Sequence, residues 1–132
     1  MTLTAAQDRV AAEALRVLDD YLAAFNALDP RALDRTCHFP HYRLLGDRLT
    51  TEEAPGIQTV ATMRALLGPD WHQTAWDERR VVQAAADKVH VAATFIRHRS
   101  DGSVIGTFES MYVVTRESGR WGVKLRSTFA PR

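Results

Sequence analysis

The hydropathy pattern of this chain changes period once, and the change limits the folds open to it. Through the first half, apolar residues recur every three or four positions; from Trp71 onward they recur every second position. Helices gathered first and strands gathered last build an α+β layer, because alternating βαβ units would interleave the two periods. A chain of 132 residues suits one domain spanning residues 1–132. Such a chain buries about two-thirds of its surface on folding and needs no staples.

Val10, Ala14, Val17, Leu18, Tyr21, Leu22 and Phe25 form one apolar helical stripe. Thr4 and Gln7 have capping-box spacing, which predicts a start near Ala5. This helix should stop around Asn26 to Leu28. Asp29 and Pro30 read as N-cap and first position of a short second helix that runs to Cys37. Pro40 bars a helix from the next segment, where Tyr42, Leu44 and the Gly46-Asp47 pair predict an edge hairpin. In a third helix Ile57, Val60, Ala61, Arg64 and Leu67 share a side, and Gly68-Pro69 ends it.

Strands are predicted over Thr74 to Ala86, Val89 to Arg99, Ile105 to Arg116 and Trp121 to Phe129, with turns at Asp101-Gly102 and Ser118-Gly119. Unbroken alternation puts Val91, Ala93, Phe95 and Arg97 on one face. It does the same for Phe108, Ser110, Tyr112 and Val114, and for Val123, Leu125, Ser127 and Phe129. The expected architecture is an antiparallel sheet whose apolar face is covered by the N-terminal helices. Ile96, Met111 and Val113 are apolar on the opposite face, where a solvated sheet would turn polar. That pattern predicts a homodimer formed through the outer face.

Charge excludes several partner classes. Seventeen Lys and Arg against sixteen Asp and Glu leave a net charge of +1, which gives no electrostatic case for nucleic acid or an anionic membrane. Cys37 is the sole cysteine, so no intrachain disulfide forms and a reducing compartment fits. The polar N-terminus lacks the apolar core of a signal peptide, and no stretch approaches the length of a membrane span. The expectation is a soluble cytoplasmic protein.

Two segments carry a family likeness. Tyr21-Leu22-Ala23-Ala24-Phe25-Asn26-Ala27-Leu28-Asp29 and Tyr112-Val113-Val114-Thr115-Arg116-Glu117-Ser118-Gly119-Arg120-Trp121-Gly122-Val123 resemble a helix end and a final hairpin of the nuclear transport factor 2-like superfamily. That cone-shaped α+β fold is shared with ketosteroid isomerases and SnoaL-like polyketide cyclases. The resemblance covers nearly the whole chain. It implies a curved sheet around a cavity, closed on one side by helices, with a few polar groups set in apolar walls. It does not imply one activity, because the superfamily holds isomerases, hydrolases, dehydratases, transport factors and oligomerisation domains.

By the resemblance, Tyr21 matches the oxyanion-holding tyrosine of ketosteroid isomerases. The general base falls at Leu45 and the protonated aspartate at Ser110, so the usual isomerase dyad is absent. Tyr21 is then a pocket hydroxyl or a core aromatic. His41, beside His38, Pro40 and Arg43, is the candidate general acid or base, since histidine titrates near neutrality; the alternative is a histidine bonded to backbone. Arg97 would hold a carboxylate or phosphate by its fork, unless it is a solvated strand end. Ser110, Tyr112 and Ser127 are candidates to orient a polar group, or else serines bonded to their own backbone. Zinc spacing, a phosphate loop and a serine elbow are missing, and Cys37 reads as a small buried hydrophobe rather than a nucleophile. The expected function is therefore binding of a mainly apolar small molecule with a polar end. Two versions stand: cofactor-independent isomerase, cyclase or dehydratase chemistry, and a non-catalytic ligand-binding or dimerisation module. No metal or other cofactor is implied.

Overall fold

The computed structural model describes residues 2–132. Helix α1 (Ala5–Asn26) starts where its capping box puts it: Thr4 Oγ1 accepts from the Gln7 amide at 3.1 Å, and Gln7 Oε1 accepts from the Thr4 amide at 2.9 Å. Helix α2 (Pro30–Arg35) is capped by the Asp29 carboxylate, which accepts from the Ala32 amide. Cys37 is not the end of this helix. The Thr36 carbonyl accepts from the Val123 amide at 2.7 Å, which draws the chain into the sheet, and Cys37 opens β1 (Cys37–Leu45). The hairpin partner is β2 (Arg48–Glu52).

Helix α3 (Val60–Leu67) follows, with its own capping box at Thr59 and Thr62. Its buried side is Met63 and Leu67; Ile57, Val60 and Ala61 are exposed. Ile57 lies before the cap, so the stripe read from the sequence began too early and took the wrong phase. Four long strands complete the chain: β3 (Gln73–Ala84), β4 (Lys88–His98), β5 (Val104–Glu117) and β6 (Arg120–Thr128).

The strand order is β2-β1-β6-β5-β4-β3. Neighbours are antiparallel except β1 and β6, which run parallel. The sheet is therefore mixed, not wholly antiparallel as expected. The first strand returns to pair with the last after the long β3–β5 meander, and a connection of that length permits parallel pairing.

Helix α1 lies along β3 and is bonded to it at three levels. Gln7 Nε2 donates to the Ala84 carbonyl at 3.0 Å, and Arg79 reaches the Leu15 carbonyl and the Asp19 carboxylate. The Asn26 side chain exchanges two 2.9 Å bonds with the Thr74 backbone. These anchors hold the last turns of α1, with Tyr21 and Phe25, over the ends of β3 and β4. The core below is closed by Ala14, Leu18, Met63, Val89, Val91, Val114 and Val123. Among the described residues, no helix is long and apolar enough to cross a membrane.

One irregularity decides which residues of β6 face the helices. Val114 pairs with Val123, but Val113 pairs with Leu125, so Lys124 is an unpaired bulge residue. A one-residue bulge inverts the alternation beyond it. Arg126 and Thr128 consequently turn to the helix-covered side and are buried. Leu125 and Ser127 turn to the open side, where Ser127 sits across from Met111 and Leu44. Phe129 lies just past the end of β6, its amide donating to the Glu109 carbonyl at 2.9 Å, and is 68% exposed.

Candidate ligand-binding site

Beneath the last turns of α1 lies a chamber of about 20 Å³, bounded by Tyr21 and Phe25 of α1, Thr74 and Trp76 of β3, Phe95 and Arg97 of β4, Tyr112 of β5 and Arg126 of β6. Its volume is that of one water molecule. It is separated by Arg97 and Arg126 from a larger mouth of about 300 Å³, walled by Leu45, Leu66, Phe108, Thr128, Phe129 and Pro131. Both arginines line both spaces.

Aromatic rings give the chamber its shape. Tyr21 meets Phe25 and Tyr112 edge-on, at centroid distances of 5.1 and 5.9 Å. Trp76 meets Tyr112 and Phe95 in the same way, and Phe95 stacks on Phe108 at 5.0 Å. Such pairs add about 0.5–1.5 kcal/mol each beyond area burial and hold ring orientation. The Arg97 guanidinium lies 4.5 Å from the Phe108 ring centre and 5.5 Å from that of Phe95; Arg126 lies 5.9 Å from Phe25. The cations are thus seated on aromatic faces.

Their polar atoms lack partners. Arg97 Nε, Arg126 Nε and Nη2, Trp76 Nε1 and the Tyr21 hydroxyl are buried without a hydrogen bond among the described residues. Burial, then the nearby Arg126 charge, pulls the Arg97 pKa down to about 10, which leaves it protonated at neutral pH. Burial raises the Tyr112 pKa, so its hydroxyl stays protonated. A third arginine, Arg43, is neutralised differently: its Nη1 lies 2.9 Å from Glu52 Oε1, with both side chains nearly buried. Burial works against the Arg43 charge, but Tyr21 and Glu52 outweigh it, and its pKa is raised.

The structure brings together three of the six candidate residues: Tyr21, Arg97 and Tyr112 bound one chamber. Ser110 shares their side of the sheet, but its hydroxyl is committed to the Ser127 carbonyl at 3.0 Å and to Thr128 Oγ1 at 2.8 Å. Ser127 is on the opposite side, a correction forced by the Lys124 bulge. His41 is fully buried outside the chamber, with Nδ1 donating to the Val123 carbonyl at 3.0 Å. Burial, followed by the Arg43 charge, drops its pKa to about 3, so it is neutral at physiological pH rather than poised near it. His38 is bonded elsewhere, to the Thr115 and Arg120 carbonyls and to the Arg120 side chain. Its ring occupies the place of a side chain at Gly122, where a Cβ would meet it at 2.9 Å.

Sequence reasoning missed Arg126 and Trp76. No local signal marks the bulge that turns Arg126 inward, since an unbroken hairpin register from Ser118-Gly119 is equally consistent with the sequence. Trp76 lies in a strand legible from the sequence, but nothing local marks it as a wall of the chamber.

Comparison with known proteins agrees with this architecture. The family model for the NTF2-like protein (DUF6841) matches residues 12–126. No curated protein matches the chain. Among solved structures, a Nostoc punctiforme protein of unknown function with a cystatin-like fold is similar at a TM-score of 0.78 and 13% identity, covering 98% of this chain and 94% of its own. A ketosteroid isomerase-like protein from Erwinia carotovora atroseptica is similar at 0.62 and 18%, covering 89% and 93%. The association domain of C. elegans CaMKII is similar at 0.69 and 16%, covering 95% and 98%. At these identities the likeness is one of fold. With the family model spanning residues 12–126, the chain belongs to the NTF2-like family.

Proposed function

We propose that this chain binds a small, mainly apolar molecule in a cone between α1 and the sheet, with the polar end of that molecule at Tyr21, Arg97 and Tyr112. One observation carries the reading: Arg97 is half-buried against aromatic rings, its Nε is buried and unpartnered, and no carboxylate is among the groups acting on it. A cation partly removed from water without a counter-charge carries a cost that an anionic ligand group would offset. The chamber lining contains no carboxylate and no imidazole, and Arg97 and Tyr112 both hold their protons at pH 7. Binding and orientation fit this inventory better than proton transfer.

The reading includes a homodimer through the open face of the sheet. Met111 and Leu44 are each 37% exposed there, and Ile96, Val113 and Leu125 continue the apolar surface. An apolar face of this kind favours association over solvation. Serving also as a dimerisation module is compatible with ligand binding, because the two surfaces lie on opposite sides of the sheet.

Leu22 of α1 also lines the chamber, so the test is a thermal-shift screen of small carbonyl compounds and carboxylic acids on the wild type and on Leu22→Trp, whose larger ring fills the chamber from α1. Ligands of the cone raise the melting temperature of the wild type and lose that effect in the filled variant. Compounds that stabilise both proteins equally would place binding elsewhere.

A further inference from the structure

Two free guanidinium groups, not one, stand at the boundary between chamber and mouth. Neither Arg97 nor Arg126 takes part in a salt bridge among the described residues. They act on each other as like charges. Arg43, beside Arg126 in the β1–β6 register, is already matched by Glu52. Three arginines therefore share one carboxylate on this side of the sheet. Yet both unmatched ones are packed on aromatic rings, Arg97 half-buried and Arg126 buried. Phe108 and Phe95 hold Arg97, Phe25 holds Arg126, and Arg126 is only 3% exposed.

We propose that Arg97 and Arg126 together receive one carboxylate of an apolar monocarboxylic acid, with the carboxylate at the chamber and the hydrocarbon body in the mouth. This rests on the cone being a ligand site and adds the ligand class, its direction and a second arginine. The chemistry fits the two groups. A carboxylate has two oxygens with about four acceptor positions, enough to take N–H donors from both forks. It also relieves the repulsion between them. Because the aromatic faces already fix both side chains, little rotamer entropy is lost on binding.

The direction follows from size. The chamber, at about 20 Å³, accepts a small polar group and nothing longer. The mouth, at about 300 Å³, lies at the lower end of small-ligand pockets. Its walls at Leu45, Leu66, Phe108 and Pro131 are apolar. Pro131 can lie there because position 106 is glycine; a Cβ on Gly106 would meet the Pro131 ring at 2.9 Å.

The experiment is titration calorimetry at pH 7.5 with octanoate, butyrate and 1-octanol, on the wild type and Arg126→Met. Octanoate should bind the wild type roughly 10- to 100-fold tighter than 1-octanol, the value of hydrogen bonds to a charged group. Butyrate should bind more weakly than octanoate, because it leaves the mouth unfilled. Arg126→Met should lose the preference for octanoate while still taking up 1-octanol. If Arg126→Met does not fold, Arg126→Gln makes the same comparison. Equal wild-type affinity for octanoate and 1-octanol, or an unchanged preference in the Arg126 variant, overturns the carboxylate assignment and leaves the cone as a neutral-ligand site. Equal affinity for butyrate and octanoate overturns the direction. Absence of binding by all three probes in the wild type overturns both this inference and the cone reading beneath it.

Discussion

Tyr112 and Arg126 face each other across β5 and β6 on the helix-covered side of the sheet, and they do so because Lys124 is a bulge residue. Without that extra residue Tyr112 would oppose Leu125, and Arg126 would point to the open face. One unpaired position thus decides whether the chamber holds one cation or two.

The bulge separates two serines that the sequence treats alike. Ser110 bonds the Ser127 carbonyl and the Thr128 hydroxyl in a buried place, while Ser127 contributes only its backbone to that network. Ser110→Ala should cost about 1 kcal/mol of unfolding free energy and Ser127→Ala less than about 0.5. Urea denaturation of both variants checks this. A larger loss at Ser127 would place its side chain on the wrong face here.

Arg97→Ala should weaken binding of an anionic ligand by roughly 10-fold, about 1.4 kcal/mol, because the carboxylate keeps only Arg126 of its two partners. Calorimetry with octanoate reads the difference. Equal affinities would remove Arg97 from the site.

His41 makes stability depend on pH. In the unfolded chain it takes a proton at its ordinary pKa of 6.5, and in the fold only at about 3. Well above pH 6.5 neither state is protonated, and the stability is complete. As pH falls from 6.5 toward 3 the unfolded state gains a proton that the native state refuses, and stability drops by about 1.4 kcal/mol per pH unit. Urea midpoints measured between pH 7.5 and 5 should therefore fall, and the fall should be shallower in His41→Gln. An identical slope in that variant would assign the effect to other groups.

How much of this was legible beforehand follows from the range of the interactions involved. The starts of α1 and α2 could be read because Thr4–Gln7 and Asp29–Ala32 close within one turn. The four long strands were legible from alternation and turn residues. Cys37 was misread because a distant amide, that of Val123, takes the Thr36 carbonyl. The burial of His41 and the parallel pairing of β1 with β6 are likewise products of contacts across some 80 positions. Tyr21, Arg97 and Tyr112 were found because no bulge interrupts their own elements on the way to the chamber. Arg126 was not found because one does.

Cys37 should be inert in the native protein. Burial raises its thiol pKa to about 12, which leaves almost no thiolate at neutral pH. Ellman's reagent should react with the single thiol only after denaturant is added. Fast reaction in buffer would contradict the burial of the β1 start.

Self-association through Met111 and its neighbours is expected to give a dimer mass by light scattering at micromolar concentration, and Met111→Glu a monomer. A monomer mass for the wild type would remove the open face as an interface.

The most direct measurement follows the indole N–H signals of the tryptophans, assigned by Trp→Phe substitution, as octanoate is added to labelled protein. Trp76 Nε1 is buried at the chamber without a partner, while Trp121 sits by the β5–β6 turn. The Trp76 signal should move and saturate with the calorimetric affinity while that of Trp121 stays in place. A Trp76 signal that does not respond to bound octanoate would contradict a ligand site in this chamber.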